Sequence, residues 1–133
     1  MKEALENHIK YRIERAWDTL DDARILAANN KWNSAINRLY YATYYAVMAL
    51  LLKNGLKTGT HNGAKTNFTK HFIKTEIIEK ELGTLYAQLF TWRQKGDYDD
   101  LFDFNENKVM PLFEPTEKFI GKIESLIRNQ SVT

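Results

Sequence analysis

The chain has 133 residues, no cysteine and a formal net charge of +2. That length suits one domain, which would bury roughly two-thirds of the surface its unfolded chain exposes, enough for a core without covalent staples. The missing cysteine excludes a disulfide frame, a thiolate metal site and a cysteine nucleophile, and the scattered basic residues argue against duplex binding driven by phosphate neutralisation alone.

Helical period runs through the sequence, and nothing alternates as a strand would. Leu5, Ile9, Ile13, Ala16, Trp17, Leu20, Ala23 and Ala27 step by threes and fours. They predict a first helix of about seven turns by the helical repeat, ended by Asn29-Asn30. A second helix is predicted from about Trp32 to Asn54, closing at Gly55, which can take the left-handed cap conformation. Its stretch Arg38 to Leu51 combines Tyr40, Tyr41, Tyr44 and Tyr45 with aliphatics and has almost no polar face. Such a helix must be wrapped by others. The tyrosines, paired at i and i+4, read as core rings rather than a ligand platform. Arg38, on the same helix, calls for a carboxylate partner or a phosphate.

A glycine-punctuated loop, residues 55–60, leads to a shorter third helix with Ala64, Phe68 and Phe72 on one face and Thr58 or Thr60 as its cap. The run Gly59 to Thr66 nearly spells a phosphate loop, but Ala64 stands at the second glycine position and no strand precedes it. His61 reads as a turn histidine and His71 as a surface or half-buried one. No Glu-x-x-His pair supports a carboxylate-bridged metal bundle. Ile78, Leu82, Leu85, Leu89 and Trp92, broadened by Ile77, Tyr86 and Phe90, mark the fourth helix, with Gly96 expected to end it. The acidic and aromatic stretch Asp97 to Glu106 reads as a loop. It is not an EF-hand, because Phe102 and Lys108 occupy the positions that need glycine and glutamate.

The fifth helix carries Leu112, Phe113, Phe119, Ile120, Ile123, Leu126 and Ile127. Pro111 is tolerable in its first turn, and Pro115 should delay or kink it. The expectation is an all-α, up-down antiparallel bundle of four long helices plus one short one. It forms a single domain over residues 1–128, with residues 129–133 as a frayed tail. The N-terminus lacks the apolar core of a signal peptide, and Ala46 to Leu52, the longest apolar run, is too short to span a bilayer. A soluble, cytoplasmic chain without membrane contact is expected.

Arg38-x-Tyr-Tyr-Ala followed by an apolar run and Gly55 resembles the second helix of a HEPN domain, the small all-α module of prokaryotic toxin–antitoxin pairs and nucleotidyltransferase partners. HEPN ribonucleases share an Arg-x4-6-His motif at the end of a long helix, in which the arginine binds the scissile phosphate and the histidine moves protons. The matching place here is Trp92 to Tyr98, where Arg93 is present and Tyr98 stands where a histidine would be. The pattern Arg-x3-Asp-Tyr resembles a branch of small HEPN proteins that also show the Tyr-Tyr-Ala helix, a His-x-Gly turn, here His61-Asn62-Gly63, and phenylalanines like Phe68 and Phe72. The resemblance runs from about Leu5 to Leu126.

Losing a positioned histidine typically costs about 10² to 10⁴ in rate, and an unperturbed tyrosine or aspartate replaces it poorly. What the resemblance implies for Arg93, with Lys95, Tyr98 and Arg38, is phosphate and RNA binding. Arg93, Asp97 and Tyr98 are the residues for any catalysis. The bland alternative is that Arg93 pairs with Asp97 or a neighbouring acid as a solvated helix-end ion pair. Three functions stay open: a module that dimerises and binds single-stranded RNA, a nucleotide or a nucleotidyltransferase partner; an active metal-independent ribonuclease toxin; and a purely structural partner. No metal and no cofactor are implied. Trp92, Tyr98, Phe102 and Phe104 look like more aromatic surface than a monomer needs, so a homodimer through the fourth helix and its loop is expected.

Overall fold

The computed structural model describes residues 2–98 and 102–130. Six α-helices follow in order: α1 (Lys2–Ala28), α2 (Trp32–Lys53), α3 (His61–Phe68), α4 (Lys80–Tyr98), α5 (Glu106–Val109) and α6 (Phe113–Asn129). Among the described residues there is no strand, and no helix is long and apolar enough to cross a membrane. The architecture is the expected all-α bundle, with α2 as the strut that α1, α3, α4 and α6 surround.

Both of the first two helices end as their sequences indicate. Asn30 takes φ +61°, and the amides of Asn30 and Lys31 return to the carbonyls of Ala27 and Leu26. Gly55 takes φ +70°, and the amides of Gly55 and Leu56 return to Leu52 and Leu51. Each is a Schellman close, in which a left-handed residue lets two outer amides satisfy the last carbonyls. Thr60 caps α3 by accepting the Gly63 amide at 2.8 Å. The third helix continues past Phe68 as one π-helical turn, Thr69–Ile73, so that Phe72 still buries beside Phe68, ring centroids 6.2 Å apart.

The buried face of α2 includes Ala35, Ile36, Leu39, Tyr40, Ala42, Ala46, Val47, Leu50 and Leu51, which is why a helix so apolar is stable only as a central element. Where α3, α4 and α6 meet, Phe68, Tyr86 and Phe119 stack and tilt at 5.4 to 5.8 Å. Trp17 ties α1 to α6 by donating Nε1–H to Glu124 at 3.2 Å.

The fourth and fifth helices depart from the sequence reading. Gly96 does not end α4, which runs on through Asp97 and Tyr98. A Cβ at Gly96 would meet the Phe104 ring at 3.1 Å, so the glycine serves close packing and not a cap. The acidic loop is correspondingly shorter, and its Asp99, Asp100 and Leu101 lie outside the described residues. The last helix comes in three pieces: α5, a 3₁₀ turn at Met110–Leu112 holding Pro111, and α6 with Pro115 in its first turn. A proline there lacks only an amide that would be unpaired anyway. Of the expected tail, Asn129 closes α6 and residues 131–133 lie outside the described residues.

Candidate functional site

Arg93 is the single charged side chain buried among the described residues, at 7% exposure. It leaves α4 toward α2, where its guanidinium carbon lies 4.8 Å from the centroid of the Tyr40 ring and 5.8 Å from that of Tyr41. Its Nε is buried without a hydrogen-bond partner, and no described carboxylate lies within ion-pair distance. The Arg93–Asp97 ion pair is therefore corrected: Asp97 instead accepts from the Asn37 amide at 3.0 Å.

Lys95 and Tyr98 do not join Arg93. Two and five residues along a helix of 3.6 per turn they face other directions, and both are exposed while Arg93 is buried. Lys95 lies over Phe102, at 5.6 Å. For Arg38 the carboxylate alternative is corrected: the side chain is half-buried and has no carboxylate partner among the described residues. Its Nε and Nη2 donate to the Asn37 amide oxygen at 3.0 and 2.8 Å, and the guanidinium carbon lies 5.0 Å from the Tyr41 ring centroid. Because Asn37 passes its own N–H to Asp97, that amide relays between cation and carboxylate.

The group that shares the Tyr40 and Tyr41 rings with Arg93 is His61, the first residue of α3. Its Nδ1 is 2.6 Å from the Tyr40 hydroxyl, its ring stacks on Tyr44 at 4.4 Å, and Tyr41 meets it edge-on at 5.7 Å. Tyr40 and Tyr41 thus touch both His61 and Arg93. The turn reading of His61 is incomplete: the residue opens a helix, but its ring is part of an aromatic wall. Gly63 makes this position possible, since a Cβ there would collide with the hydroxyls of Thr58 and Thr60 that close the loop over the helix start. The His-x-Gly signal is therefore a placement device for the histidine. Sequence could flag the motif, but pairing it with Arg93 needs the tertiary fold.

Burial, and then the Arg93 charge, push the His61 pKa below the ordinary imidazole value. Burial raises Tyr40 and Tyr86 above the ordinary phenol range. The Tyr86 hydroxyl is buried and has no hydrogen bond of good geometry among the described residues. These shifts keep the His61 imidazole neutral and the Tyr40 and Tyr86 phenols protonated at neutral pH.

The four aromatics offered as dimer surface divide. Phe104 is core, Trp92 packs on it at 5.2 Å, and Phe102 meets it at 4.9 Å. Asn33 fixes this group by donating to the Phe102 carbonyl and accepting the Phe104 amide, at 3.0 and 2.8 Å. Only Tyr98 stays open, at 73% exposure.

The HEPN domain family model matches residues 9–126, a span that includes α2, the His61 turn and Arg93. The chain belongs to the HEPN domain family. A UPF0332 protein of Thermotoga maritima is 42% identical over 124 residues, covering 93% of this chain and 94% of the relative. Two proteins of Methanocaldococcus jannaschii, both named as candidate toxins, are each 28% identical: one over 120 residues (90% of this chain, 82% of the relative), the other over 124 (93% and 92%). In this HEPN chain Arg93 of α4 and His61 of α3 lie on opposite sides of the same Tyr40 side chain, one against its ring and the other against its hydroxyl.

Proposed function

We propose that this HEPN chain is a toxin-type module that binds single-stranded RNA through its phosphate, with Arg93 as the phosphate-contacting residue, and that it works as a homodimer. One observation carries the reading: a guanidinium buried against two rings, with an Nε that no described residue satisfies. Taking an arginine out of water costs several kcal/mol, and a cation–π contact returns only about 0.5 to 2. The Nε itself is closed to solvent, so an anion from outside would offset the remaining deficit at the Nη end of the guanidinium, whose fork phosphate matches. The candidate-toxin names of the archaeal relatives support the toxin setting.

RNA affinity measured across a salt series tests this. Affinity should fall as salt rises and weaken by about tenfold or more in Arg93→Met, the loss expected for one charge-assisted contact. No binding at any salt would instead point to a protein partner, such as a nucleotidyltransferase.

His61 beside Arg93 favours one second reading, a metal-independent ribonuclease. Wild-type cleavage leaving cyclic phosphate ends, lost in His61→Gln, would establish it over simple binding.

A further inference from the structure

The geometry points to His61 as the second phosphate donor of this site: Tyr40 holds its Nδ1 as an acceptor, so that Nε2 carries the proton and offers an N–H to the same anion that Arg93 binds. This rests on the phosphate reading of Arg93 and deepens it, because it decides between a site that grips RNA and one that cuts it.

Proton placement follows from the hydrogen-bond accounting. Tyr40 is fully buried, and its hydroxyl keeps its proton because burial disfavours the phenolate. That proton needs an acceptor. The neighbouring Tyr86 hydroxyl makes no hydrogen bond of good geometry, and its influence favours the Tyr40 oxygen as acceptor rather than donor between the two phenols, whereas His61 Nδ1 lies 2.6 Å from the Tyr40 hydroxyl. A phenol donating to Nδ1 fixes the neutral ring with its proton on Nε2, since in neutral imidazole one nitrogen accepts and the other donates. Around the ring stand Tyr40, Tyr41 and Tyr44 from α2 and the Arg93 charge from α4. None of these is a carboxylate that would favour an imidazolium.

The consequence is chemical. A ring with Nε2 already protonated has no lone pair there to take the proton of an attacking 2′-hydroxyl. The same N–H is well suited to donate to a non-bridging phosphate oxygen. Arg93 and His61 together then supply charge and direction, and Tyr44, stacked on the imidazole at 4.4 Å, keeps the ring from turning. The ligand class is a nucleic-acid or nucleotide phosphate.

NMR of the full-length chain labelled with ¹⁵N in histidine reads the tautomer directly. In the free protein, His61 should show Nε2 protonated and Nδ1 as acceptor, and Tyr40→Phe should give a tautomer mixture. The probes are a single-stranded RNA oligonucleotide, a nucleoside monophosphate and inorganic phosphate. The RNA should move the His61 Nε2 resonance, and Arg93→Met should abolish that movement. Response to the oligonucleotide alone assigns a phosphodiester chain, and response to the monophosphate as well assigns a nucleotide site. His61→Gln, whose amide can replace the lost N–H, should hold RNA affinity within about threefold, whereas His61→Leu should lose about tenfold, the worth of one hydrogen bond to a charged group. Two results would overturn the proposal: a proton on Nδ1 with Nε2 bare, or a His61 resonance unmoved by RNA that still binds through Arg93. Absence of Arg93-dependent binding in every arm would sink the phosphate reading itself, and this one with it. The free-protein tautomer tells that failure from the others.

Discussion

His61 and Arg93 meet on one phenol: the Tyr40 hydroxyl bonds the imidazole at 2.6 Å, and the Tyr40 ring lies 4.8 Å from the guanidinium carbon. The histidine missing from the end of α4 thus has a counterpart at the start of α3, joined to Arg93 through Tyr40.

A buried cation without an internal partner has a recognisable thermodynamic sign. Replacing Arg93 with methionine, similar in length and apolar, removes the desolvation cost and loses only the contacts to Tyr40 and Tyr41. Thermal and urea unfolding of Arg93→Met should give a stability within about 1 kcal/mol of wild type or above it, as when buried charges give way to apolar groups. A loss of about 3 to 5 kcal/mol would reveal that Arg93 already has a buried partner.

His61 sets a pH dependence whose sign follows from its burial and the Arg93 charge, which hold its folded pKa below the unfolded value. In the window between those two values the unfolded chain binds the extra proton, so stability rises with pH and is lost as pH falls below about 6.5. Melting temperature should accordingly drop as the buffer is taken from about pH 7.5 to pH 5.5. In His61→Gln the slope over that window should be shallower. An identical slope in the variant would mean that His61 titrates alike in both states.

The fold was largely legible because its signals are local. Asn30, Gly55 and Thr60 terminate or start helices by backbone geometry that a few residues determine, and the apolar wall of α2 can only be central. Gly96 misled because a glycine near a helix end serves a cap or a close contact equally well, and the ring that decides the matter, Phe104, arrives from beyond the loop. The site was half legible. Arg93 could be named from its motif, but its neighbours on the helix, Lys95 and Tyr98, face elsewhere, while His61 reaches it only through the packing of α3 on Tyr40 and Tyr44. Arg38 calls for a carboxylate or a phosphate, and of these the carboxylate reaches it only through Asn37, its own neighbour, which relays the contact to Asp97.

Asn33 should prove structural at some distance from the phosphate site. Its amide closes a two-point clasp on the backbone of Phe102 and Phe104, and Phe104 in turn fills the space over Gly96. Asn33→Ala leaves a part-buried carbonyl and amide unsatisfied, at a cost of about 2 kcal/mol. Asn33→Asp, which keeps the acceptor and loses the donor, should fall between the two in urea unfolding. Equal stability of Asn33→Ala and wild type would show that the clasp closes nothing.

Assembly is the last expectation, and of the four aromatics around α4 it is Tyr98 that can test it. Trp92 packs on Phe104 within one chain, so a charge there would disturb the fold before it disturbed an interface. Tyr98, in the last turn of α4 and 73% exposed, is the one ring of the four around α4 left open for a partner copy, and a two-fold contact through it would be isologous. Light scattering at micromolar concentration should return twice the 15.6 kDa chain mass. Tyr98→Glu should bring the mass back to one chain without lowering the melting temperature of the monomer, because the ring makes no ring–ring contact inside the protein among the described residues. A wild type that stays monomeric across that range would leave Tyr98 as solvent-facing surface and end the dimer reading.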